Sequence, residues 1–281
     1  MKAKKEIKNI IREYKGLEMY FSPEIAGKFA ELEQNDKNFR VAEIVDRILI
    51  QKVGDLPEPI KVAELGGGAH PDRYHNFFTR LLQEPRGQID WVDISPHMLE
   101  LAEHYLVGKK YQDRREVITF IEADILDYLR NLEDDSLNVA IMKYTIDHIT
   151  DLGLLFDLLN QKLVKNGKLV ATIGSVSPEL KSYSTNARFL YNGEQFPDNE
   201  TRTLKDGDSF TVKFFKVSGN PNAGYLQGAK TVKYFHSEEK IKQLAEVAGF
   251  DVFLGDWKDA VDENNQEGET LNQEILILTK R

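Results

Sequence analysis

Val62-Ala63-Glu64-Leu65-Gly66-Gly67-Gly68-Ala69-His70-Pro71 runs an apolar stretch into three glycines, and Trp91-Val92-Asp93-Ile94 follows as a second apolar stretch closing on an acid. With a helical pattern between them, this spacing predicts strand, tight turn, helix and strand, the unit from which parallel α/β sheets are built. In such a unit the glycines let a ligand approach the backbone, the helix N-terminus offers N–H groups, and the second acid can grip ribose hydroxyls. The stretch therefore predicts a nucleotide-type pocket. A dinucleotide fingerprint would want glycine or alanine at position 71, after Gly66 and Gly68, to pack helix on strand, and Pro71 disfavours it.

Outward from this turn the chain alternates. Strands are expected at Lys61 to Leu65, Ile89 to Asp93, Val117 to Ile121, Leu137 to Met142 and Lys168 to Ile173. A helix should start at His70-Pro71 and bury Tyr74, Phe77, Phe78, Leu81 and Leu82; another, capped by Ser95-Pro96, should bury Met98, Leu99, Ala102 and Leu106. A third, around Leu154 to Leu163, is expected to stop at Asn166-Gly167. Strands and helices alternating this way predict a parallel sheet covered on both faces. From 175 to 235 the rhythm breaks into turn signals, with strands expected at Ser209 to Val217 and Lys230 to Phe235 as an antiparallel cover. The pattern then resumes with a helix from Ser237 to Gly249, a strand at Phe250 to Leu254, a polar loop from Asp256 to Glu269 and a last strand at Glu274 to Thr279. Residues 1 to about 53 read as helical, interrupted at Tyr20-Phe21-Ser22-Pro23.

The whole chain bounds the chemistry. At 281 residues, 41% apolar and 30% charged, it can bury a substantial core, and no stretch has the length of a membrane span. It has no cysteine, which removes disulfides, thiolate metal sites and cysteine nucleophiles, and a cytoplasmic location is the default expectation. A net charge of −9 disfavours a nucleic-acid substrate. His70, His75, His97, His104, His148 and His236 show no ligand spacing with carboxylates, so no metal is expected.

The ordered set of motifs resembles the class I S-adenosylmethionine-dependent methyltransferases. The set comprises Glu64-Leu65-Gly66-Gly67-Gly68, then Asp93-Ile94-Ser95-Pro96-His97-Met98-Leu99, then Glu122-Ala123-Asp124-Ile125. It continues with Leu137 to Met142 leading to Asp147-His148, then Leu163 to Val170, and Ala248-Gly249-Phe250-Asp251-Val252 with the terminal strand. The resemblance implies a Rossmann-like α/β fold: a mostly parallel seven-stranded sheet with helices on both faces and an antiparallel last strand. An N-terminal helical lid at 1–55 and an antiparallel β insertion at 175–236 would flank a cofactor domain made of 56–174 and 237–281.

It also implies S-adenosyl-L-methionine as cofactor, with Gly66, Gly67 and Gly68 under its methionine part, Asp93 on the ribose, Ala123 and Asp124 at adenine, and Ile94 and Ile125 on the adenine faces. Met98 and Glu64 join this set, Glu64 alternatively as a structural acid tying the turn. Lys143 and Tyr144 stand where the fourth strand ends, within reach of cofactor or acceptor, and Tyr20 belongs to the lid or simply packs there. Asp93 alternatively caps a helix, and Asp124 is alternatively a solvated loop acid. His148 reads as a general base for a hydroxyl acceptor, with Tyr144 beside it, or as a histidine bonded to backbone. The expected activity is methyl transfer to nitrogen or oxygen of a small molecule, the acceptor lying between the N-terminal helices and the insertion. RNA cap-like methylation and non-catalytic binding of the same cofactor are the alternatives.

Overall fold

The expected strands take shape because their residues are apolar on both faces, as a sheet sandwiched between helices demands. The computed structural model describes residues 16–33, 36–52, 59–71, 76–81, 87–106, 116–174, 177–184, 186–217, 219–260 and 274–281. Seven strands form the main sheet: β1 (Lys61–Leu65), β2 (Gln88–Asp93), β3 (Ile118–Glu122), β4 (Leu137–Lys143), β5 (Leu163–Ile173), β11 (Phe250–Gly255) and β12 (Glu274–Lys280). Their order across the sheet is β11-β12-β5-β4-β1-β2-β3. All neighbours from β5 to β3 are parallel, and β12 runs antiparallel to both β5 and β11.

Helices cover both faces. On one, α2 (Asp36–Lys52), α3 (Asn76–Leu81), α4 (Pro96–Tyr105) and the short α8 (Trp257–Ala260) bury Ile48, Leu49, Phe77, Leu99 and Trp257 against Trp91 and Val139. On the other, α5 (Ile125–Asn131), α6 (Leu152–Lys162) and α7 (Glu238–Val247) bury Leu129, Phe156 and Ala245 against Ala140 and Leu276. The order reverses direction between β1 and β4, and ligands of such sheets bind beyond the carboxyl ends of the strands at that reversal.

Two further layers lie over those strand ends. The 3-10 turn Glu18–Phe21 and α1 (Pro23–Glu33) pack Met19, Ala26, Phe29 and Ala30 against Ala69, Met98 and Ala229. The insertion holds a β6–β8 pair (Glu179–Lys181 with Thr201–Thr203) and a sheet of β7 (Ala187–Tyr191), β9 (Ser209–Phe215) and β10 (Tyr225–Tyr234). Where two strands were expected the insertion thus has five, because short strands with exposed faces, such as Thr201–Thr203, carry almost no apolar alternation.

Other boundaries differ for local reasons. The helix expected at His70-Pro71 is described only from Asn76, and residues 72–75, including part of the expected apolar face, lie outside the described residues. The buried imidazole of His70 has Nε2 2.9 Å from the Ala30 carbonyl and packs tilted against the Tyr105 ring. Strand β5 begins at Leu163 and passes through Asn166-Gly167, with Asn166 in the left-handed region at φ 63°. Trp257 turns the start of the expected polar loop into a helical turn, and 261–273 lie outside the described residues. The part of the expected helical region before residue 16 also lies outside them. Among the described residues no helix is long and apolar enough to cross a membrane.

Ser95 ties the sheet to the N-terminal layer. Its hydroxyl accepts from Met98 N–H at 3.1 Å, capping α4, and donates to the Tyr20 carbonyl at 2.5 Å. Removing an N-cap side chain costs about 1 kcal/mol, up to about 2. Ser95→Ala is therefore expected to lower the unfolding free energy by about 1–2 kcal/mol in urea titration with an unchanged m-value.

Candidate active site

The glycine turn is held by β2. Gly66 and Gly67 N–H both donate to the Val92 carbonyl at 2.8 and 2.9 Å, and Gly68 N–H donates to Asp93 Oδ2 at 2.9 Å. The Trp91 indole N–H closes the turn from below on the Gly68 carbonyl at 2.9 Å. With its N–H groups engaged by protein, the turn offers a ligand its bare Cα face instead.

The glycines are also demanded by their neighbours. A Cβ at Gly66 would stand 2.5 Å from Thr145 Cγ2, and one at Gly67 would stand 2.3 Å from Trp91 Nε1. Gly68, at φ +62°, has no atom of the described residues within 4 Å of that position, so among them its missing side chain leaves open space at the wall. Asp93 is buried and its second oxygen accepts from Ser95 N–H at 2.8 Å, joining the turn to the start of α4. Asp124 caps α5, Oδ1 accepting from Leu126 N–H at 2.8 Å and Asp127 N–H at 3.3 Å.

These residues wall a cavity that opens to solvent. Gly66, Gly67, Gly68, Asp93, Ile94, Met98, Asp124 and Ile125 line it over β1, β2 and β3. Lys143, Tyr144 and His148 line it where β4 ends, and Tyr20 lines it from the N-terminal layer. Two expected residues are not on the wall. Glu64 is buried below it, Oε1 lying 3.6 Å from Lys143 Nζ, and Ala123 packs into the core beneath with its N–H on the Asp93 carbonyl at 3.1 Å.

The cavity also brings in Leu17, Phe29, Ala69, His70, Thr145 and Ile149, which the motifs did not single out as binding residues. Thr145 alone had a usable signal, as the residue between Tyr144 and the Asp147-His148 motif. Tyr144 sits at φ 57°, in the left-handed region that non-glycine residues avoid, its N–H donating to Thr172 Oγ1 at 3.0 Å. Such strain persists where surroundings over-determine it, and it gathers at functional sites.

His148 is held from the insertion. Its Nδ1 lies 2.9 Å from the Val232 carbonyl and 3.5 Å from Thr231 Oγ1, while the preceding Asp147 pairs with Lys233 at 3.0 Å. Burial foremost, then the Lys233 charge, push the imidazole down to about 4, against the opposing pull of Asp147 and the Val232 carbonyl. Among the described residues no group of three His, Asp or Glu side chains could hold a metal ion.

This shift has a consequence for stability. The unfolded chain protonates His148 near 6.5 whereas the folded protein resists down to about 4. Its stabilising contribution is therefore complete above about 6.5 and is lost as pH falls toward 4. The denaturation midpoint should fall between pH 7 and pH 4.5 more steeply in the natural protein than in His148→Gln, by an amount on the order of 3 kcal/mol.

Comparison with known proteins agrees with this architecture. The methyltransferase-domain family matches residues 72–249. No curated protein matches the chain. An S-adenosylmethionine-dependent methyltransferase from Clostridium acetobutylicum superposes with a TM-score of 0.53 at 16% identity, covering 90% of this chain and 98% of that one. Magnesium protoporphyrin IX methyltransferase from Synechocystis, solved with bound S-adenosylhomocysteine, gives 0.51 at 14% identity, covering 98% of this chain and 100% of that one. A glycopeptide N-methyltransferase in complex with S-adenosylhomocysteine gives 0.50 at 12% identity, covering 85% and 89%. The chain belongs to the methyltransferase-domain family and has the class I fold of the S-adenosylmethionine-dependent methyltransferases.

Proposed function

We propose that this protein transfers the methyl group of S-adenosyl-L-methionine to nitrogen or oxygen of a small-molecule acceptor. The observation that carries the reading is one continuous cavity joining the glycine turn, Asp93 and Asp124 to Tyr20, Tyr144 and His148. The acceptors named for two similar folds, magnesium protoporphyrin IX and a glycopeptide, support a small-molecule acceptor.

The donor set fits the cofactor. Gly68 leaves space where a side chain would stand, Asp93 and Asp124 offer carboxylate acceptors for hydroxyl and amino groups, and Ile94, Met98 and Ile125 offer apolar faces. Asp93 already receives two N–H groups, yet each carboxylate oxygen can accept twice, so ribose hydroxyls can share it. When bound, the cofactor supplies a methyl group activated by a sulfonium.

The remaining work falls to the chain. The glycine turn and Asp93 fix position on the β1–β3 side, while Lys143 holds Glu64 beneath the wall. Tyr20, Phe29 and Ile149 exclude water above, and Tyr144 and His148 face the acceptor over β4. Alignment in a dry site accounts for most of what an in-line methyl displacement needs.

Calorimetric titration with S-adenosylhomocysteine and a methyl-transfer assay against a broad acceptor panel test this. Asp93→Asn, checked by circular dichroism for an intact fold, is expected to weaken binding about tenfold or more through loss of charge-assisted hydrogen bonds. Absence of binding by the natural protein would end the reading.

A further inference from the structure

The nature of the acceptor can be narrowed from the cavity wall beyond β4. Among the described residues, Tyr144, Thr145 and Ile149 line that side and Leu17, Tyr20 and Phe29 line the cavity from the N-terminal layer, and all six are uncharged residue types. The cavity's carboxylates, Asp93 and Asp124, sit on the β1–β3 side and already hold backbone N–H groups. Its lysine, Lys143, is paired with Glu64. An ammonium or carboxylate acceptor would have to shed water here with no partner of opposite charge among the described residues of that side, which is costly. An uncharged acceptor would not.

Among the described residues of that wall, His148 offers a neutral imidazole with a basic lone pair. A carbonyl only accepts, so the 2.9 Å contact with Val232 places the proton on Nδ1 and leaves the lone pair on Nε2. Val232 makes this contact from the edge of β10 away from β9, and its own N–H donates to the Gly16 carbonyl at 3.1 Å, so its peptide groups are clamped on both sides. The next residue, Lys233, pairs with Asp147 and fixes the 3-10 turn Ile146–His148 against the same strand.

We propose that the acceptor is an uncharged molecule bearing a hydroxyl group, that His148 Nε2 receives the hydroxyl proton, and that Lys233 is a positioning residue for this imidazole. The inference rests on the methyl-transfer reading above. As the oxygen–carbon bond forms, the hydroxyl proton passes to Nε2, and the carbon–sulfur bond of the sulfonium breaks with its electron pair left on sulfur. The imidazolium then returns its proton to water.

Among the described residues, the charged groups acting on His148 are Asp147 on its own turn and Lys233 from β10, and Tyr144 at the end of β4 lines the same cavity. Removing the Lys233 charge leaves Asp147 uncompensated, and both changes favour the imidazolium.

The test has two arms on the full chain. In the first, NMR of ring-labelled histidine follows His148 without ligand. The natural protein should keep it neutral with the proton on Nδ1 down to about pH 5, Lys233→Met should move its titration toward the ordinary value near 6.5, and Lys233→Arg should restore it. In the second, phenol, aniline and benzoate analogues of one ring skeleton are offered with S-adenosylmethionine. The hydroxyl compound should be methylated, and His148→Gln should lose about a hundredfold or more in kcat with S-adenosylhomocysteine affinity unchanged. The acid limb of the kcat/KM profile should shift upward in Lys233→Met. Preference for the amine or the acid, a His148→Gln rate within twofold of the natural one, or an unmoved titration in Lys233→Met would overturn the proposal. Failure of the methyl donor to bind would overturn the underlying reading instead, and the calorimetric titration separates the two.

Discussion

The carboxylate of Asp93 is the constraint on which the rest depends. One of its oxygens receives Gly68 N–H and the other receives Ser95 N–H, so a single buried side chain fixes the glycine turn after β1 against the start of α4 after β2. Hydrogen bonds to a charged acceptor are about twice as strong as neutral ones, and at a buried site water cannot replace them. The turn is thereby set before any ligand arrives. Its N–H groups are spent on Val92 and Asp93, and what it presents is space, kept open by the missing side chain at Gly68 and kept narrow by Thr145 and Trp91 beside Gly66 and Gly67.

A second constraint comes from far along the chain. Strand β10 has one edge paired with β9, and its other edge is closed by the site itself: Val232 gives its N–H to Gly16 and its carbonyl to His148, and Lys233 pairs with Asp147. An edge strand normally leaves such groups for solvent or for a stray partner. Here they join the N-terminal layer, the insertion and the end of β4 at a single residue. Phe214 on β9 continues the junction by packing edge-on to Phe29, their ring centroids 4.8 Å apart, so the roof over the cavity is assembled from two segments nearly 200 positions apart in sequence.

Much of this was legible in the sequence because it is local. The apolar runs that became β1 to β4, the Ser95 and Ser237 caps and the Gly249 stop all act within a few residues of themselves, and the order of motifs carried the family and its mostly parallel sheet with an antiparallel last strand. The residues at the ends of β1, β2 and β4 were legible for the same reason, since strand ends of a parallel sheet share one edge. What was hidden is tertiary. Nothing in the neighbourhood of Val232 or Lys233 marks them as partners of the Asp147-His148 pair, and Asp124 reads identically as a loop acid and as the cap it proves to be. Ala123, next to Asp124, packs against the core cluster and is not among the cavity's lining residues. The histidine at 148 was read as either a base or a backbone-bonded ring, and its geometry is compatible with both, one nitrogen serving each part.

The central claim is that the glycine turn, Asp93 and the start of α5 form one cofactor cradle. Hydrogen exchange measured with and without S-adenosylhomocysteine tests it most directly. The account predicts slowed exchange concentrated in residues 66–70, 93–98 and 124–127, with a smaller effect at 144–149. Binding with protection confined elsewhere, or no protection at a saturating concentration, would contradict it.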